Sequence, residues 1–171
     1  MIKILPAQAA DLPEIDLLLD AGFGPARRGR TAYKLRAGVA PDPALSFVAR
    51  EGAALVGSVQ CWPLQLRSAS GAVFPLTLVG PVVAAADRQG QGIGTALMQA
   101  SLAAIDALGR GPALLIGDAE YYGRFGFSAA ATAGWQVPGP VERARLLVRG
   151  EAVGLPASGW LEPSAGARAA A

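Results

Sequence analysis

Histidine is missing from this sequence of 171 residues, and cysteine occurs once, at Cys61. The first absence excludes Ser-His-Asp and Cys-His catalysis and any histidine-ligated metal. The second excludes an intrachain disulfide and a cysteine-built zinc cage. Lysine is scarce as well: of the 15 basic residues only Lys3 and Lys34 are lysines. Set against 13 acidic residues, they leave a net charge of +2, too balanced for nucleic acid to be the expected partner. Long apolar runs are also wanting. The most apolar stretch, AVFPLTLVGPVVAAA at 72–86, is too short to span a bilayer and is broken by Pro75, Gly80 and Pro81. The opening MIKILPAQAADLPEID has no signal-peptide core and meets Asp11 and Glu14 early. These absences predict a cytoplasmic protein with no metal and no membrane partner.

What is present is ample apolar material, 52% of residues, on a chain long enough for one domain with a real core. IKILPA, 2–7, reads as a strand. A helix follows, with Asp11 as N-cap, Glu14 three residues on as in a capping box, and Leu12, Ile15, Leu18 and Leu19 on one face. GPARRGR, 24–30, reads as a basic loop, either solvated or attracting an acidic substrate. TAYKLRAG, 31–38, reads as a short helix. Strands are expected at about 45–50 and 54–66, joined at REGA, and again across 72–86. Pro81 cannot donate to a ladder, so a bulge or free edge is expected there. From Gly92, apolar residues Ile93, Leu97, Ala100, Ala104 and Leu108 recur at helical steps until Gly109. PALLIG, 112–117, reads as a buried strand and DAEYYGRF as a short helical segment. Beyond Gly126, ARLLVRG at 144–150 is the strand the pattern supports, and 163–171 reads as a frayed tail.

The chemistry concentrates in DRQGQGIGTALMQA, 87–100, where Gly90, Gly92 and Gly94 alternate and run into the helix. A strand, a Gly-x-Gly-x-Gly turn and a helix start make an anion-binding device. Unpaired N–H groups point outward, and glycine lets a phosphate lie against the main chain. A nucleotide P-loop would end in Gly-Lys-Ser/Thr, but this one ends GIGT without lysine. A dinucleotide fingerprint, G-x-G-x-x-G, needs a third glycine three residues after Gly94, where Leu97 stands, and it opens the first strand–helix unit rather than sitting mid-chain. A pyrophosphate held without metal, as in coenzyme A, and a plain glycine turn with no ligand both stay open from the loop alone.

VVAAADRQGQGIGTALMQA resembles the acetyl-CoA-binding segment of the GCN5-related N-acetyltransferase (GNAT) superfamily, whose Gln/Arg-x-x-Gly-x-Gly/Ala signature reads here as Gln89-Gly90-Gln91-Gly92-Ile93-Gly94. EYYGRFGF resembles its second hallmark, a Tyr-x-x-x-Gly-Phe turn running from Tyr122 to Phe127. The wider pattern is similar to the bacterial YhbS-like acetyltransferases, and the resemblance is best over 45–127. Ala86 and Arg88 depart from it, standing where relatives often carry a proline and an aromatic; Arg88 would add a cation beside the phosphates.

The resemblance implies an α/β GNAT fold over 1–171: a mostly antiparallel sheet, splayed at a cofactor cleft, with helices on both faces. It implies acetyl-CoA as co-substrate and direct acetyl transfer to a small-molecule or peptide amine in a ternary complex. A non-catalytic CoA- or acyl-CoA-binding module of the same fold is the alternative. The diphosphate would be held by main-chain N–H groups of Gln89, Gly90, Gln91, Gly92, Ile93, Gly94 and Thr95. The backbone of Val82, Val83 and Ala84 would pair with the pantetheine arm where that strand parts from Leu114–Ile116. Tyr122 would protonate the leaving thiolate, its phenol with a pKa of ~10 staying protonated until needed. The base that frees the amine is not identified; Glu120 and Asp118 are candidates, and each also fits a capping or solvated carboxylate. Tyr121, Phe125 and Phe127 read as structural, and Arg124 as a surface arginine or a partner for a carboxylate or the cofactor. Cys61 reads as a small buried hydrophobe, and Trp62 as a packed side chain or a wall of the acceptor groove. Dimers are common in the superfamily, which leaves a homodimer open.

Overall fold

The computed structural model describes residues 1–150 and 152–164. It is a mixed α/β chain with a multi-strand, mostly antiparallel sheet and four helices among the described residues. The strands are β1 (Ile2–Pro6), β2 (Phe47–Glu51), β3 (Ala54–Arg67), β4 (Val73–Ala84), β5 (Ala113–Ile116), β6 (Phe127–Ser128), β7 (Gly134–Gln136), β8 (Leu146–Arg149) and β9 (Ser158–Pro163). The helices are α1 (Leu12–Phe23), α2 (Thr31–Lys34), α3 (Ile93–Leu108) and α4 (Ala119–Tyr122). The chain divides into two compact units, and β3 and β4 each pass from one to the other, at Cys61/Trp62 and Leu78/Val79.

The first unit comprises Met1–Arg28, Pro41–Cys61 and Val79–Gly109. β1 runs antiparallel to β2 (Ile4↔Ala49), and β2 antiparallel to β3 (Ala49↔Gly57), with an irregularity between Ala49 and Arg50. Ile15 and Leu19 of α1 pack on Val48 and Val83, which accounts for the apolar helical face. α3 presents Ile93, Leu97, Met98, Leu102 and Ile105 inward at three- and four-residue steps and ends on left-handed Gly109 (φ 62°). The helix start at Asp11 differs from the expected capping box. The Asp11 carboxylate accepts from the Gln8 N–H (2.7 Å) and from Arg50 (2.6 Å), and Glu14 also accepts from Arg50 (2.9 Å). A half-buried arginine on β2 outcompetes the local cap because charge-assisted bonds are the stronger ones.

The second unit comprises Gly29–Ala40, Trp62–Leu78 and the chain from Arg110 onward. β4 pairs in parallel with β5 at Thr77↔Ala113 and Leu78↔Leu114, β5 pairs antiparallel with β8, and β8 with β6. The second half of β3 pairs with β9 (Leu66↔Leu161), and β9 with β7. One core joins Leu64, Leu66, Leu76, Leu78, Leu114, Leu146, Val148 and Trp135. The expectation of a single late strand at 144–150 is therefore incomplete. β7 and β9 are short and lie among Gly and Pro, where alternation is hard to see. Tertiary pairing makes them strands, and Trp135 anchors them, fully buried with its indole N–H donating to the Pro156 carbonyl (2.9 Å). The frayed tail expected at 163–171 begins too early, since Pro163 closes β9; its remainder beyond Ser164 lies outside the described residues.

Candidate active site

In the first unit β4 runs into the glycine loop. The Ala85 N–H donates to Val56 O (2.8 Å), and a single 3-10 turn is closed by the Arg88 N–H on Ala85 O (2.9 Å). Gly90 (φ 81°) and Gly92 (φ 77°) are left-handed, while Gln91 between them keeps a negative φ. A Cβ added at either glycine would meet nothing within 4 Å. The conformation demands glycine there, and the space above stays open. The first bond of α3 is Ala96 N–H to Gly92 O (3.0 Å). The seven N–H groups from Gln89 to Thr95 thus donate to no protein group among the described residues. Residues 89–92 are exposed. Amides without a protein acceptor, in a loop with two left-handed glycines at the start of a 16-residue helix, are what a helix N-terminus offers an anion. The residues fit a diphosphate without a metal.

The loop is pinned on both sides. Beyond it Ile93 is buried so tightly against β3 that a Cβ on Gly57 would lie 2.6 Å from Ile93 Cγ2. Before it, the Arg88 guanidinium is held by Glu51, with Nε and Nη2 both on Oε2 (2.9 and 2.8 Å), and by Asp87 (2.8 Å). The expected extra cation beside the phosphates is therefore a charge already matched by two carboxylates. Val82, Val83 and Ala84 end β4, and Val83 lies under α1, where a Cβ on Gly22 would come within 2.9 Å of Val83 Cγ2. The preceding Gly80–Pro81 bond is cis, with Gly80 at φ 112°.

Two other expectations fall in this unit. Cys61 is fully buried, and burial pushes its thiol up to about 12, so it is no nucleophile at neutral pH. The basic run after α1 is not simply solvated, because Arg27 is buried and donates to Asp20 (2.8 Å) and Asp16 (3.0 Å). These bonds staple the chain back onto α1.

In the second unit, Tyr122 ends α4, whose first turn is capped by Asp118 accepting from the Glu120 N–H (3.0 Å). Its ring meets Tyr121 edge-on (centroids 4.8 Å, 88°) and Phe127 (6.2 Å, 74°). The remaining face lies on Gly117, where a Cβ would come within 2.5 Å of Tyr122 Cε2. Burial, and then the charge of Tyr121, raise the phenol above its ordinary 10.0, against a smaller opposing effect of Arg145. Phe127 is buried and Phe125 half-buried. Arg124 donates to the Tyr121 carbonyl (2.9 Å) and stacks on its ring. Glu120 is exposed. Trp62 is packed, with the Arg36 guanidinium 4.1 Å above its ring.

Three residues that sequence reading missed shape these features: Gly57, Gly117 and Glu51. An isolated glycine inside the apolar run ALVGSVQ is the one signal that could have flagged a close approach at Gly57.

Among the described residues no cluster of three or more His, Cys, Asp or Glu could hold a metal ion, and no helix is long and apolar enough to cross a membrane. The family model of the acetyltransferase (GNAT) domain matches residues 3–130, and the chain belongs to this family of acetyltransferases. Among solved structures it is similar to the Escherichia coli GNAT-family N-acetyltransferase YhbS in complex with CoA. That match has 23% identity and a TM-score of 0.73, and covers 96% of this chain and 89% of that one. A second is a GNAT-family acetyltransferase from Brucella melitensis in complex with acetyl-CoA, with 27% identity and a TM-score of 0.69, covering 96% and 97%. No curated protein matches the sequence.

Proposed function

We propose that this chain transfers the acetyl group of acetyl-CoA to a primary amine, small-molecule or peptide, by direct attack in a ternary complex. One observation carries the coenzyme assignment: seven consecutive main-chain N–H groups, Gln89 to Thr95, lack a protein acceptor at the start of α3, inside the span matched by the family. These amides hold the diphosphate, the backbone of Val82, Val83 and Ala84 runs along the pantetheine arm, and the chain 1–171 works as one transferase domain. Acetyl-CoA supplies the activated acetyl thioester. Tyr122 protonates the departing thiolate, and its raised pKa keeps the phenol a proton donor throughout neutral pH. The coenzyme-bound structures of the two similar acetyltransferases support this reading.

Thermal shift with CoA, acetyl-CoA, ATP and NAD tests it. At a hundred times Kd a ligand stabilises by about 2.7 kcal/mol. For a chain of this size that raises Tm by roughly 5–11 °C. CoA and acetyl-CoA are expected to give such shifts, with ATP and NAD well below them. Equal shifts with ATP, or none with CoA, would overturn the assignment. Amine-dependent release of CoA thiol then separates a transferase from a binding module.

A further inference from the structure

We infer that Glu51, through Arg88, is a positioning residue for the diphosphate loop; this rests on the reading of that loop as the coenzyme site. A loop with two left-handed glycines and no internal hydrogen bonds to its seven amides has many conformations to lose on binding. Preorganisation must come from its ends. Ile93 fixes the exit by burial under Gly57. At the entry the residue directly before Gln89 is gripped from another element: both Arg88 Nε and Nη2 donate to one oxygen of Glu51, at the end of β2. The Asp87 carboxylate takes Nη1 (2.8 Å), so the guanidinium plane is fixed by two anions. Arg88 therefore serves the phosphates through backbone placement and not as their counter-ion.

The two roles give opposite signs on removing Glu51. If Arg88 were a phosphate ligand restrained by Glu51, freeing it in Glu51→Gln would tighten CoA binding. As a positioning pair, loss of either partner loosens the loop and weakens it. Calorimetric titration with CoA, and with S-acetylpantetheine, which lacks the diphosphate, distinguishes them. Glu51→Gln and Arg88→Gln are each expected to weaken CoA by about two- to fivefold, the range a partly exposed ion pair supplies. The double variant should be no worse than either single one, and the exchanged pair E51R/R88E should regain part of the loss. S-acetylpantetheine affinity should not change. Tighter or unchanged CoA binding by E51Q, additive losses, or an equal loss for S-acetylpantetheine would overturn the inference. A wild-type chain that does not bind CoA would overturn the loop reading itself, and this inference with it.

Discussion

Gly117→Ala should disable the chain's acetyl transfer without touching a polar group. The added methyl carbon would sit 2.5 Å from Cε2 and 2.9 Å from Cδ2 of Tyr122, and 3.1 Å from Leu115 Cδ1. Carbon atoms pack comfortably at about 3.5–4 Å, so the ring must retreat by roughly 1 Å. It cannot retreat freely, because Tyr121 and Phe127 bracket it at 4.8 and 6.2 Å between centroids. Overpacking of this kind costs about 1–3 kcal/mol, which lowers Tm by roughly 2–12 °C. A misplacement of about 1 Å at a reacting group costs on the order of a hundredfold in rate. The assay is thiol release from acetyl-CoA with an amine that the wild type acetylates, alongside CoA titration and Tyr122→Phe. Expected are a loss in kcat on the order of a hundredfold, CoA affinity within about twofold of wild type, and little further loss when G117A is added to Y122F. Wild-type kcat in G117A, or a second full loss in the double variant, would refute a proton-donor role that depends on the position of this ring.

Two further outcomes are expected. Gly57→Ala drives a methyl group to 2.6 Å from Ile93 Cγ2, on a side chain stiff at χ1, and should cost about 1–3 kcal/mol in chemical denaturation while also weakening CoA; unchanged stability and affinity would count against Ile93 as the loop's anchor. The second concerns acid. Burial works to raise the Asp11 carboxyl, but the Arg50 hydrogen bond, the Gln8 N–H and the Arg50 charge together hold it below its ordinary 3.8; Arg27 holds Asp20 below the same value. A depressed folded pKa contributes stability above the unfolded value and loses it as pH falls through the folded one. Tm should therefore stay level down to about pH 5 and decline below the ordinary carboxylate range, and Arg50→Gln should lower the plateau and flatten the decline; an unchanged acid limb in R50Q would refute it.

Much of this architecture can be read from local pattern. α3 is written in the spacing of Ile93, Leu97 and Leu108 and in the stop at Gly109, and the open loop before it in three alternating glycines after a strand. Residues adjacent in sequence carry these signals. β7 and β9 exist only because distant strands pair with them, so their three- and six-residue sequences say little alone. Arg27 looked like part of a basic loop because nothing local shows that Asp16 and Asp20 wait one turn apart on α1 to bury it. The Glu51–Arg88 and Gly117–Tyr122 contacts are likewise products of tertiary placement, and Gly117 carries no motif. The motif residues name the chemistry, and their supports come from elsewhere in the chain.

Cys61 has a practical consequence for assaying the chain. As its only sulfhydryl, shut inside the first unit and essentially never ionised near neutrality, it offers no background to a disulfide-exchange dye. Colour developed by native enzyme then reports liberated coenzyme alone, and one extra equivalent arriving on denaturation counts the molecules that were folded.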